Sequence, residues 1–129
     1  MTETATATAD IEALAARAFA QIPRRFARQL GPIVIRVEEF PDGETMAAMG
    51  LASPFDLLGL YRGVALPHKS VSDPRPGIDM IYLYRRPILE YWRASGNDLF
   101  AVVRNVLIHE IGHHFGFSDA DIERIENSR

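Results

Sequence analysis

The spacing of apolar and polar positions divides the chain into helices and strands. Apolar residues three or four positions apart predict helices, whereas alternating or β-branched runs predict strands. The predicted helices cover 10–21, 24–30, 87–93, 98–115 and 121–127, and the predicted strands cover 33–40, 57–64 and 78–84. The helix over 98–115 carries the strongest signals, because Asn97 can cap its start and Gly116 can end it.

Three stretches lack such a period. Residues 44–56 predict a loop with room for a helical turn, and residues 65–77, which contain three prolines, predict a long loop. The Thr- and Ala-rich residues 1–9 predict a flexible lead-in. Because no internal repeat or second core is visible, we expect one domain over 10–129.

Composition and charge exclude several classes of protein. The chain has 129 residues with a net charge of −3, and it contains no Cys. The lack of Cys excludes a disulfide scaffold, a thiolate zinc finger and a thiol nucleophile. The mild negative charge argues against a nucleic-acid partner. No segment approaches the roughly 18 apolar residues of a membrane span, and the N-terminus lacks the pattern of a secretory signal. We therefore expect a cytoplasmic protein without a membrane partner, and a monomer.

The run His109-Glu110-Ile111-Gly112-His113 carries the chemistry. It is an H-E-x-x-H motif on the strongest predicted helix. Residues four apart lie one turn above each other on one face, so His109 and His113 can bind the same ion. Glu110 borders that face and can act as a general base on a water that the metal activates.

The surroundings of the motif strengthen this interpretation. Around the motif the helix is apolar on nearly all sides, which predicts that it is largely buried. Imidazole and carboxylate groups on a buried helix need partners, because unpaired buried polar groups are costly. A metal ion would supply such a partner.

A third protein ligand and supporting groups are also predicted. Asp119 follows His113 by six residues, and Gly116 can turn the chain back toward the metal. The alternative is that Ser118 or Asp119 only caps the last helix, and Asp121 and Glu123 are weaker rivals as ligands. The candidates for supporting Glu110, holding substrate or stabilising an oxyanion are His114, Tyr82 and Tyr84, although core packing also explains the two tyrosines.

The motif and its flanks resemble a known family. The pattern of His109, His113, Gly116 and Asp119 is similar to the zincins, and to their metzincin-like branch. With the segments 22–23, 59–61 and 81–89, the likeness is to a family of short bacterial zincin-like metallopeptidases, over residues 10–127. It implies an α+β fold, a minimal zincin in which a small mixed sheet packs against an N-terminal helix and a buried active-site helix. The chain departs from metzincins in offering Asp119 where they use His and in having no Met after the motif.

The resemblance implies a zinc-dependent metallopeptidase, a hydrolase of narrow or weak activity. One zinc ion per chain would be held by His109, His113 and Asp119, although an Asp ligand also makes manganese or iron conceivable. The implied partner is a peptide or protein substrate added to the edge strand 78–84. Two alternatives stay open, namely an inactive zincin-fold module that binds metal and a peptide or protein partner, and a metal-dependent hydrolase of another substrate.

Overall fold

The computed structural model describes residues 8–28, 33–62 and 79–114, together with positions 116, 118, 120 and 122–124. Its elements follow the predicted order closely. They are α1 (Thr8–Ala20), α2 (Arg24–Ala27), β1 (Ile33–Glu38), α3 (Gly43–Met49), a 3₁₀ turn (Pro54–Asp56), β2 (Gly59–Arg62), β3 (Asp79–Tyr84), α4 (Arg85–Ser95) and α5 (Leu99–His114). The chain is helical again at 120 and 122–124. The predicted loop over 65–77 lies outside the described residues.

The described strands form one mixed sheet in the order β1–β3–β2. β1 runs parallel to β3, with Ile35 opposite Ile81, and β2 runs antiparallel to β3. The prediction of 78–84 as an edge strand was therefore wrong, since β3 is the central strand. Its sequence could not show this, because both of its partners come from distant parts of the chain and leave the edges to β1 and β2.

The two faces of the sheet differ sharply. Along β3, Ile81 and Leu83 are completely buried and face the helices, whereas the alternate residues Met80, Tyr82 and Tyr84 lie on the opposite face. We call these the inner and the outer face. This alternation confirms the division of these residues between two faces that the sequence predicts for the strand.

Helices α1 and α5 pack against each other and against the inner face. Ile11 from α1 and Val103 and Leu107 from α5 are completely buried in this core. Each such aliphatic side chain contributes about 1.5–3 kcal/mol on burial. Asp98 rather than Asn97 caps α5, because its Oδ1 accepts from the Ala101 N–H at 2.7 Å. The small mixed sheet with an N-terminal helix and a buried α5 is the α+β fold that the sequence led us to expect.

Helix α3 occupies residues 44–49 of the loop predicted over 44–56, where the sequence left room for a helical turn. It begins because Asp42 Oδ1 accepts from the Thr45 N–H at 2.7 Å, and it ends at Gly50, whose φ of 66° is left-handed. Seven residues contain too few apolar positions to reveal a helical period, so the pattern missed it. Buried Thr45 lies near the outer face of the sheet, where it lines a cavity together with Tyr82.

Two helices begin earlier than predicted. α1 starts at Thr8, within the stretch predicted as lead-in, and α4 starts at Arg85, directly after β3. The early start of α4 is stabilised by Glu39, the residue after β1, because Arg85 pairs with its side chain at 2.8 Å and the Arg86 N–H donates to its carbonyl. No helix in the described part of the chain is long and apolar enough to span a bilayer.

Candidate functional site

The H-E-x-x-H motif lies at the C-terminal end of α5. The helical backbone continues to His114, so the Cα atoms of His109 and His113 lie one turn apart on one face. Gly116, with a φ of 75°, then adopts the left-handed conformation that ends helices. These observations confirm the predicted helix and its end. The side chains of His113 and His114 lie outside what the structure describes, and so does Asp119.

His109 is an exposed residue on a helix whose neighbouring positions Leu107 and Ile108 are buried. Its Nδ1 atom lies 3.2 Å from the carbonyl oxygen of Asn105. A carbonyl can only accept, so this contact is a hydrogen bond when Nδ1 carries the proton, and the neutral ring then has its lone pair on Nε2. Metal-binding histidines commonly use one ring nitrogen in this way, which orients the other nitrogen toward the ion.

Glu110 is held by the backbone of β2. Its Oε1 atom accepts a hydrogen bond of 3.2 Å from the N–H of Tyr61, which lies 49 positions earlier in the chain. The Tyr84 N–H donates to the Leu58 carbonyl, so these two residues form a hydrogen-bonded pair. Because such pairs alternate along antiparallel strands, the backbone groups of Gly59 and Tyr61 point away from β3. Glu110 therefore lies at the edge of β2 that faces away from β3, which we call the outer edge.

Gly59 allows β2 to approach α5 closely. A Cβ atom at this position would lie 2.6 Å from Val106 Cγ1 and 3.2 Å from the carbonyl oxygen of Tyr82. Both distances are shorter than the normal contact between non-bonded atoms, so only glycine fits without a shift. This close packing keeps Tyr61 within hydrogen-bonding distance of Glu110.

The side chain of Tyr61 anchors β2 on the inner face. Burial raises the pKa of its hydroxyl well above the ordinary value, and the neighbouring carboxylate of Asp79 adds to the shift by hydrogen bonding and by its charge. Asp79 is itself buried. The hydroxyl therefore stays protonated, and it can donate to the Asp79 carboxylate. Tyr61 was not a candidate from the sequence, because its link to the site is a backbone N–H that every residue except proline carries.

Tyr82 and Tyr84 lie away from Glu110. Their rings stack at 6.5 Å between centroids on the outer face of the sheet, whereas α5 packs against the inner face. The geometry does not bring either hydroxyl to the carboxylate, so it does not support the predicted oxyanion role of these two tyrosines. Their place on alternate positions of one strand explains why they share a face.

Whether the donors fit a metal depends on their chemistry. Among the described side chains, no group of three or more His, Cys, Asp or Glu could hold an ion. That set leaves out His113 and Asp119, which are two of the three predicted ligands. Imidazole and carboxylate are donors that Zn²⁺ prefers, and the tautomer of His109 places its lone pair on the nitrogen that would bind. The residues present therefore fit zinc.

A cavity of about 270 Å³ lies beside His109. Apolar side chains from α5 and from the segment before β2 form much of its wall, and two asparagines add amide groups. The lining residues are Leu58, Tyr91, Asn97, Val102, Asn105, Val106 and His109. The cavity is a concave space next to the motif that a side chain of a bound molecule could enter.

Comparison with known families covers most of the chain. The family model for zincin-like metallopeptidases matches residues 30–129, from just before β1 through the motif. The match begins after α1 and α2, so it is shorter at the N-terminus than the resemblance we described from the sequence. A comparison with curated proteins gave no match. Since the matched range is well over half of the chain, this protein belongs to the zincin-like metallopeptidase family.

Proposed function

We propose that the protein is a zinc-dependent peptidase in which Glu110 is the general base. The single observation that carries this proposal is the hydrogen bond from the Tyr61 N–H to Glu110, which holds the carboxylate at the outer edge of β2. A base at a strand edge is placed to act on a peptide that pairs with that edge. His109, His113 and Asp119 would hold the metal.

The chemistry divides between the ion and the chain. When bound, zinc supplies Lewis acidity, which lowers the pKa of a coordinated water and polarises a carbonyl group. Glu110 takes the proton of the attacking water and transfers it to the leaving amine. Its hydrogen bond from the Tyr61 N–H orients the carboxylate. His109 presents Nε2 because Nδ1 is bonded to the Asn105 carbonyl.

The edge strand for the substrate would be β2 rather than β3. Gly59 and Tyr61 direct their backbone groups outward, and an extended peptide could pair with those groups that Glu110 does not occupy. The cavity beside His109 would then receive one side chain of that peptide. Because Leu58, Val102 and Val106 contribute to its wall, we expect a preference for apolar side chains.

Metal content tests the ligand set. We expect about one zinc per chain in the tag-free protein, measured by mass spectrometry, and loss of zinc in His113→Ala. The matched control is His68→Ala, which changes the one His outside the motif region. Circular dichroism on each variant separates loss of metal from loss of the fold. A folded His113→Ala protein with full zinc content would overturn the ligand assignment.

Turnover tests the role of Glu110. In Glu110→Gln we expect zinc and fold to remain and cleavage of a peptide library to fall by about 10²–10⁴-fold. Screening ester and phosphodiester substrates beside peptides tests the substrate class. If the wild-type protein holds zinc and binds peptides without cleaving any, and Glu110→Gln binds them equally, the protein is a binding module and the proposed hydrolysis is wrong.

A further inference from the structure

A second cavity, of about 300 Å³, lies on the outer face of the sheet. We call it the outer cavity. It is separated from Glu110 by the sheet itself, because α5 packs on the inner face. All three strands contribute to its floor, and the segment from the end of β1 into α3 forms a wall. The lining residues are Arg36, Glu38, Phe40, Asp42, Thr45, Arg62, Tyr82 and Tyr84.

Tyr84 is the most informative of these residues. Only 3% of its surface is exposed, and it lines the outer cavity together with Asp42 and Arg62. Burial, followed by the charge of Asp42, raises the pKa of this hydroxyl, so it is a neutral donor. A molecule in the outer cavity can accept a hydrogen bond from this hydroxyl.

Arg62 offers a second donor at the same place. Its guanidinium lies 5.8 Å from the centre of the Tyr82 ring and makes no ion pair among the described residues. By contrast, Arg36 is paired with Glu38 at 3.1 Å. The outer cavity therefore offers a guanidinium and a phenol as donors, and a carboxylate is the planar acceptor that suits a guanidinium best.

The remaining charges define the other end of the ligand. Asp42 carries a negative charge at neutral pH, because hydrogen bonds from the Thr45 N–H and hydroxyl hold its pKa below the ordinary value. With Glu38, it places two carboxylates against two guanidiniums in the lining. A ligand with a large net negative charge would be repelled by these carboxylates. A ligand with one carboxylate and one ammonium group matches both signs.

We propose that the outer cavity binds a small zwitterion, namely a free α-amino acid or a short peptide. Its carboxylate accepts from Arg62 and from the Tyr84 hydroxyl, and its ammonium group faces Asp42 and Glu38. The rings of Phe40, Tyr82 and Tyr84 leave an apolar surface for the ligand's side chain. This site does not depend on the proposed hydrolysis, because it lies on the opposite face of the sheet and uses none of the motif residues.

Three probes with one aromatic ring test the charge requirement. L-phenylalanine carries both charges, 3-phenylpropionate lacks the ammonium group, and 2-phenylethylamine lacks the carboxylate. In titrations followed by amide chemical shifts, we expect saturable binding of L-phenylalanine with shifts confined to the outer-face strands and α3. Each singly charged analogue should bind at least about tenfold more weakly. Equal binding of 3-phenylpropionate, tighter binding of inorganic phosphate, or no saturation at about 10 mM L-phenylalanine would overturn the proposal.

Conservative variants test the assigned contacts. Tyr84→Phe removes only the hydroxyl and should weaken binding of L-phenylalanine about three- to tenfold. Arg62→Gln removes a charged donor and should weaken it about ten- to hundredfold. The control is Arg93→Gln on α4, which should bind as the wild type does. Unchanged affinity in both outer-cavity variants, with folded protein by circular dichroism, would overturn the assignment. Zinc content measured on the same samples shows that the motif is intact.

Discussion

Replacing Gly59 with alanine tests whether close packing of β2 on α5 holds the site together. The added Cβ would lie 2.6 Å from Val106 Cγ1, whereas carbon atoms pack at about 3.5–4.0 Å, so the atoms must separate by about 1 Å. Val106 cannot rotate away easily, because β-branched side chains in helices have one strongly preferred rotamer. The Tyr82 carbonyl oxygen, 3.2 Å away, crowds the same position. We therefore expect β2 to move off α5.

The expected cost follows from overpacking a core contact. Gly59→Ala should destabilise the fold by about 1–3 kcal/mol. A shift of about 1 Å would also lengthen the Tyr61–Glu110 hydrogen bond, now 3.2 Å, beyond bonding distance, so turnover should fall as well. Chemical denaturation followed by the fluorescence of Trp92, the single tryptophan, measures the free energy of unfolding.

A second substitution identifies the contact that is responsible. Val106→Ala removes the clashing methyl group and alone should cost about 1–2 kcal/mol. If the clash is real, the double variant should be more stable than the sum of the two single effects by about 1 kcal/mol or more. Gly43→Ala is the control, because a Cβ there meets nothing within 4 Å, and its effect should be small. Simple additivity at Gly59 and Val106, or a Gly59→Ala variant as stable as the wild type, would refute this reasoning.

Three further perturbations address the core, the metal and the cap of α3. Ile11→Ala should cost about 2–5 kcal/mol in a denaturation experiment, because Ile11 is completely buried where α1 packs against α5. The control Glu12→Ala changes an exposed residue and should alter stability by less than about 0.5 kcal/mol. Chelation with EDTA should lower the melting temperature and added zinc should restore it, because a bound ion stabilises the folded chain and not the unfolded one. An unchanged melting temperature would contradict a tightly bound ion. Asp42→Asn should lower the melting temperature at neutral pH. Because the folded-state pKa of Asp42 lies below its ordinary 3.8, this difference should be fully present above pH 3.8 and disappear as the pH falls through the lower value. A difference that does not change with pH would argue against an ionised cap.

The helix that carries the motif was predictable because its signals are local. The sequence predicts 98–115 and the structure has Leu99–His114, since the apolar period, the cap and Gly116 all lie within or beside the helix itself. The spacing of His109 and Glu110 on that helix likewise needs only helical geometry. The predicted N-cap was wrong by one residue, because Asn97 and Asp98 are both good caps and only coordinates distinguish them.

The place of each strand in the sheet was not predictable in the same way. Residues 78–84 show the alternation of a strand, and that was confirmed, but alternation says nothing about which strands lie on either side. The parallel pairing of β1 with β3 joins residues far apart in sequence, and this long-range choice leaves β2 at the edge. The sequence therefore predicted an edge at residues 78–84, which form the central strand β3 instead.

The short strand β2 links the two sites that we propose. Successive residues of a strand face opposite sides of the sheet, so Tyr61 directs its side chain to the inner face while Arg62 directs its side chain to the outer cavity. The Tyr61 N–H, at the outer edge, holds Glu110. A slip of one residue in the pairing of β2 with β3 would exchange these facings and disrupt both sites at once. Gly59 opposes that slip, because the neighbouring residues carry side chains too large for its contact with Val106.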